Sequence, residues 1–273
     1  MVGHQHRRWH RRGAAAAGTV AVLVVTAGCG DGTADGKAGV DGTAVVRGAA
    51  DVLTEAGSAR ARTAMEMATG GTRVTIRGEG GVDFKNRMGQ LLVMLPADVT
   101  GKPGHRPITE LLTPGALYMK NRGAGVPADK WVRVDTTTLG DGNLVTGGAT
   151  DPLAAAELLR GAQEVTYVGE TELAGTKVRH YRGTTDIGRA ARSASPQVKG
   201  SLEAAAKGFS KDVVPFDAYL DEQGRLRKVR HRFSYENNGE IDVFSTTLLY
   251  GFGTPVTVVL PASTDIYAGK IAD

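Results

Sequence analysis

The chain has 273 residues, with 33 Lys and Arg against 29 Asp and Glu. Four of the basic residues, Arg7, Arg8, Arg11 and Arg12, fall in the first twelve positions; setting them aside leaves 29 of each sign, which removes any nucleic-acid footprint. Cys29 is the single cysteine, so an internal disulfide framework and a thiolate cluster for zinc or iron are excluded, and no cofactor or metal is expected.

The basic start runs into an apolar stretch from Ala14 to Val25, the order of a secretory signal. That stretch is shorter than the roughly 20 residues a membrane-spanning helix needs. Thr26-Ala27-Gly28-Cys29 follows and resembles the bacterial lipobox, with Thr26 where the pattern usually has an aliphatic residue. The reading is a signal over residues 1–28, cleavage before Cys29, and lipid on Cys29 that holds the protein at the extracytoplasmic face of the cell membrane. Residues 29–43 are too polar to fold alone and read as a flexible tether, with a single domain over 44–273.

Val45, Val46, Ala49, Val52, Leu53 and Ala56 recur at helical spacing, which predicts one amphipathic helix with Thr43 as N-cap and Gly57 as stop. The period then changes to 2, and strands are expected at 59–69, 73–85, 87–95, 108–112, 116–121 and 130–135. Turn residues at Gly70-Gly71 and Asn86 break the first strands, and Pro96 to Pro107 reads as a longer loop. Leu91 to Leu95 is apolar on both faces, which predicts cover on both sides.

Asp151-Pro152 is an N-cap followed by proline at the first helical position, opening a short helix that ends at Gly161. Strands resume at 164–169 and 176–185. The alanine-rich stretch 187–208 is interrupted by Pro196, so two helical pieces are expected. A closing meander covers 213–220, 225–235 and 240–250, with turns at Asp221 to Gly224 and Asn237-Asn238-Gly239. Its middle strand alternates Val229, His231, Phe233 and Tyr235 with Lys228, Arg230 and Arg232, which predicts one buried and one solvated face.

Several segments in order carry a family resemblance: the helix at 45–56, Gly80 to Phe84, Leu117 to Lys120, Lys130 to Asp135, Asp151-Pro152, then Gly169, Gly175, Tyr181 and the Asp221 to Leu226 turn. Together they resemble the mycobacterial LppX and LprG lipoproteins and the wider LolA-like carriers. The resemblance implies an α+β fold, a strongly curved antiparallel sheet forming an unclosed half-barrel with helices on its concave side. It further implies an apolar cavity that binds a lipid or glycolipid, with palmitate-like acyl chains carried or presented within the envelope.

Candidate cavity residues are Met65, Met67, Val74, Ile76, Phe84, Leu92 and Met94 on strands, and Leu158, Leu202 and Ala205 on helices. Methionines suit such a wall because they adapt their shape, and they serve equally to complete a core. No catalytic residue is assigned and no enzyme activity is expected. After Cys29 the histidines are His105, His180 and His231, and no paired-histidine helix, nucleophile elbow or phosphate loop accompanies them. The alternative is a module of the same fold with a filled core, binding an envelope protein partner.

Overall fold

The computed structural model describes residues 41–69, 72–96, 106–147, 149–236 and 240–269. Cys29, the expected signal segment, all but the last three residues of the expected tether, His105 and the two glycine-rich turns near 70 and 238 lie outside them.

The expected single N-terminal helix is two: α1 (Gly42–Arg47) and α2 (Ala49–Ala56). Glycine is a poor helix former, and Gly48 ends the first piece with its N–H on the Ala44 carbonyl while its own carbonyl accepts from Asp51 and Val52. Asp41, not Thr43, is the N-cap, accepting the Thr43 N–H at 2.9 Å. The strands β1 (Ser58–Thr69), β2 (Thr72–Asp83), β3 (Met88–Met94), β4 (Ile108–Thr113), β5 (Ala116–Lys120) and β6 (Trp131–Asp135) follow as a meander.

Asp151 caps α3 (Pro152–Leu158) by accepting the Leu153 N–H at 2.8 Å, as the Asp-Pro pair predicts. β7 (Ala162–Leu173) and β8 (Thr176–Asp186) come next, then α4 (Ile187–Ser193) and α5 (Pro196–Gly208), the two pieces expected from Pro196. β9 (Val213–Asp221), β10 (Leu226–Glu236) and β11 (Glu240–Tyr250) complete the described strands.

All eleven strands join one antiparallel sheet in the order β6-β5-β4-β3-β2-β1-β11-β10-β9-β8-β7. The pairing of β1 with β11 welds two meanders together, and β6 and β7 remain as separate edges, so the sheet is unclosed. Laid flat, its ten gaps would span about 48 Å at about 4.8 Å each. The helical layer is far narrower: α5, its longest helix, has 13 residues and is about 20 Å long.

Yet α1 packs on β7, α4 on β8, α2 and α3 on β10, and α5 on the Thr136–Thr138 turn after β6. A sheet that meets one small layer near both edges must curve around it. Gly80 allows part of that curvature, since a Cβ there would lie 1.9 Å from the Gln90 carbonyl oxygen.

Residues 251–269 form a strap across the outer face. The Gly253 N–H donates to the Ser58 carbonyl at 2.9 Å, and Val256 lies against Gly81. At the far end Ile266 bridges Trp131, and the Tyr267 N–H donates to the Trp131 carbonyl at 2.8 Å, which occupies part of the β6 edge. The other edge, β7, is broken instead by register shifts near Glu164 and Gly169, both at positive φ.

Register rows define the rest of that outer face. Arg77, Ala64, Thr246, Arg230, Asp217 and Arg182 lie side by side from β2 to β8. Glu79, Arg62, Leu248, Lys228, Tyr219 and His180 form the next row. Glu66, Phe244 and Arg232 form a third, with Arg73 and Asp242 beyond it and Arg60 beside Tyr250.

Candidate functional site

The concave face and the helices enclose the region where the sequence places a ligand. Alternation turns Ala61 and Met65 of β1, Leu91 and Val93 of β3, and Val229 and Phe233 of β10 inward, all within the buried core. Leu53, Leu153, Leu158, Ile187, Leu202 and Ala205 meet them from the helices.

A polar band interrupts this apolar surface. Thr63 and Thr247 are cross-strand partners, and Ser245, two residues along, is paired with His231. The Thr150 hydroxyl reaches Ser245 and donates to the Leu144 carbonyl at 2.8 Å. The Thr63 and Thr247 hydroxyls and both His231 ring nitrogens are buried without a hydrogen-bond partner among the described residues. Each such group costs about 1–3 kcal/mol unless something pairs with it. Burial alone pushes the His231 imidazole down to about 3, so it is neutral, and it lies between the rings of Phe216 and Phe233.

Glu110 stands on the same concave face, opposite Leu91 and Met119, fully buried and with neither carboxyl oxygen paired. Burial pushes it up to about 8 against the pull of Arg122, with Asp151 adding to the rise, so it is protonated at pH 7. Asp151 is raised to about 6 by burial, opposed by the N–H groups of Leu153 and Ala154 that it caps.

A second buried acid is fully paired. Glu157 on α3 accepts from Arg87 at 2.7 Å, from Arg160 at 2.6 Å and from the Ser195 N–H at 3.2 Å, and Arg160 reaches on to Asp51. Burial would raise Glu157, but the hydrogen bonds of Arg160 and Arg87 outweigh it and hold the carboxyl below its ordinary range. The network ties α2, α3, the β2–β3 turn and the α4–α5 link together.

Beneath α3 and α5 a groove lined by Arg87, Leu112, Thr136, Asn143, Val198 and Ser201, among others, encloses about 20 Å³. That is room for one or two waters, which need about 10–15 Å³ each by this measure. Among the described residues no group of three His, Cys, Asp or Glu side chains is gathered to hold a metal ion.

Of the candidate cavity residues, Met65, Ile76, Phe84, Leu158, Leu202 and Ala205 are buried in the core, and Met67 and Val74 are half-buried against it. Leu92 and Met94 are not part of the interior: they are 46% and 43% exposed on the outer face, beside Glu79 and Arg77. The apolar run of β3 is therefore covered on one side only, because Gly89, Leu91 and Val93 alone face the core. Within that core cluster Ala205 lies against Gly142, and Phe84 sits at the β2–β3 turn beside Gly57.

Glu110, Thr63, Thr247 and the Glu157 network were not singled out by sequence. Period 2 already places Glu110 on one face with Ile108 and Leu112, and Glu157 and Arg160 are three apart on one helical face, so both signals were present.

No family model matches the sequence, and no curated protein matches it. By structure the chain is similar to the lipoprotein LppX. That likeness, to LppX of Mycobacterium tuberculosis, covers 80% of this chain and 98% of that one, at 10% identity and a TM-score of 0.47. LprF of Mycobacterium bovis is similar over 81% of this chain and 97% of its own, at 14% identity and a TM-score of 0.41. A LolA superfamily protein of Nitrosomonas europaea is similar over 76% and 91%, at 10% identity and 0.36. Both kinds of protein named by the sequence resemblance are thus among the structures to which the chain is similar.

Proposed function

We propose that the chain is an envelope lipoprotein, held to a membrane through acyl groups on Cys29, that takes up the acyl chains of a lipid or lipid-linked molecule between its sheet and its helices and carries or presents them. The supporting observation is the concave face itself: a broad apolar surface covered by helices of 13 residues or fewer. Each methylene moved there from water contributes about 0.8 kcal/mol, so chains bind with few polar contacts.

A ligand site for such chains occupies about 300 Å³ or more. The groove under α3 and α5 encloses about 20 Å³, so uptake requires the helical layer to move. The α5 helix is the element suited to move, since its main contacts are with α3, α4 and the Thr136–Thr138 turn.

The test uses the hydroxyls of Thr136 and Ser201, which are 2.6 Å apart. Residues 30–273 contain no cysteine, so Thr136→Cys with Ser201→Cys supplies the sole disulfide. Oxidised protein is expected to exclude a pyrene-labelled phospholipid that the reduced form takes up. Equal uptake by both forms overturns entry beneath α5, and solvent extracts of the wild-type chain that hold no acyl species by mass spectrometry overturn lipid binding. For the anchor, Cys29→Ala is expected to move the protein to the soluble fraction.

The small enclosed volume favours a second reading, a filled-core module that binds an envelope protein partner. Empty extracts together with a specific cross-linked partner support it.

A further inference from the structure

We propose that Thr63, Thr247 and His231 form a polar subsite in the middle of the concave face, which takes an uncharged oxygen group, hydroxyl or carbonyl, set within an otherwise apolar acyl chain. The subsite depends on the uptake of acyl chains proposed above and narrows the ligand to oxygen-bearing chains.

The three side chains gather where the two meanders join. Register sets Thr247 of β11 opposite Thr63 of β1, and Ser245, two residues along β11, opposite His231 of β10. His231 is thus diagonal to Thr247, a spacing that long side chains span. All of them share the inward face with Met65 and Val229, and none is more than 5% exposed. The Thr63 hydroxyl lies over Gly78, where a Cβ would come within 2.5 Å of it, so β2 gives it space and no partner.

The chemistry of the patch selects its occupant. Ser245 already has a partner, the Thr150 hydroxyl, which also donates to the Leu144 carbonyl at 2.8 Å. One position of the patch is therefore served by a neutral hydroxyl. The Thr63 and Thr247 hydroxyls and both His231 ring nitrogens have no such partner among the described residues. Hydroxyls and a neutral imidazole offer both donors and acceptors, which a hydroxyl or carbonyl oxygen can satisfy. A charged group is excluded by cost, because in the rows from Val93 to Ala218 and from Ile76 to Phe216 no inward residue carries a charge.

The experiment uses residues 29–273 carrying Cys29→Ser, so that no anchor chain competes, loaded with the pyrene-labelled phospholipid. Stearate, 10-hydroxystearate, 12-hydroxystearate and 12-oxostearate are compared as displacers. At least one oxygen-bearing chain is expected to displace the probe at a concentration about tenfold below that of stearate, the worth of one or two neutral hydrogen bonds. Success of the oxo chain assigns the ligand an acceptor role, and success of the hydroxy chains alone assigns it a donor role.

Thr63→Val with Thr247→Val keeps the shape and removes both hydroxyls, and is expected to bring that ratio to about one without lowering the melting temperature. His231→Phe, on another strand, is expected to reduce the ratio as well, which covers the case where the first pair harms folding. Leu92→Ser, on the outer face, is expected to leave it intact. Equal displacement by all four chains, a ratio that survives both inward variants, or a large loss of melting temperature in the valine pair overturns the subsite; the last means that the hydroxyls are bonded within the protein. A chain that takes up no pyrene-labelled lipid overturns the acyl-chain reading itself, and the subsite with it.

Discussion

Replacing Glu110 by glutamine is expected to stabilise the protein, by an amount that grows with pH. The carboxyl is fully buried, unpaired and raised from an ordinary 4.5 to about 8. Between those values the unfolded chain releases this proton while the folded chain keeps it, so the unfolded state binds fewer protons and stability falls as pH rises. At 1.36 kcal/mol per unit, the wild type forgoes about 3 kcal/mol at pH 7 and about 4 kcal/mol near pH 8, and almost nothing at pH 4. Glutamine does not titrate and removes that loss. Arg122 and Asp151 are the charged groups that act on Glu110, and both remain in the variant. Urea unfolding of both proteins at pH 4, 6, 7 and 8 reads the difference directly. A gap that stays constant across this window refutes the reasoning, because it means that the carboxyl ionises in the folded state as freely as in the unfolded one.

Glu157→Ala leaves the half-hidden Arg87 and Arg160 without their shared carboxylate and is expected to cost about 3–5 kcal/mol, read as a lowered melting temperature. Because Glu157 is held below its ordinary range, its contribution is present above about pH 4.5 and lost as pH falls through the folded value, so the penalty should shrink in acid. Leu91→Ala is expected to cost about 2–5 kcal/mol, whereas Leu92→Ser, one residue along on the exposed face, should stay within about 0.5 kcal/mol. Similar losses at both positions, measured by denaturant midpoints, contradict the facing of β3.

Local chemistry made much of the fold readable. In β10 the alternation of apolar and basic residues predicts its two faces, and Val229, His231 and Phe233 are buried while Arg230 and Arg232 are exposed. Asp151-Pro152 and Pro196 mark helix starts through backbone rules that act within one turn. What failed depends on contacts distant in sequence. Leu92 and Met94 are as apolar as their neighbours, and only the third dimension shows that they lie about half exposed on the outer face. The strap after Tyr250 has no partner visible in its own residues, since it crosses to Trp131 far upstream. For the interior, apolarity tells which side chains are buried but not whether they leave room between them.

The fastenings of the helical layer are unequal, and this decides where the interior opens first. Every residue of α3 is buried, and the helix is fixed by the Asp151 cap, the Glu157 ion pairs and the Thr185 hydroxyl on the Leu158 carbonyl. In α5 only Val198, Ser201, Leu202 and Ala205 are buried, and Ser195 makes no side-chain cap. One hydroxyl pair, Thr136 with Ser201, and the close approach of Gly208 to the Gly140 carbonyl hold it to the neighbouring turn. Opening α5 exposes less apolar surface and breaks no buried ion pair, so its amides should exchange with solvent through a local event while those of α3 wait for a larger one. Hydrogen exchange followed by mass spectrometry should show α5 peptides exchanging with an opening free energy at least about 1–2 kcal/mol below that of α3, roughly the value of a buried charged hydrogen bond. Equal protection of the two helices means that they open as one unit, and a route beneath α5 is then no easier than unfolding the whole helical layer.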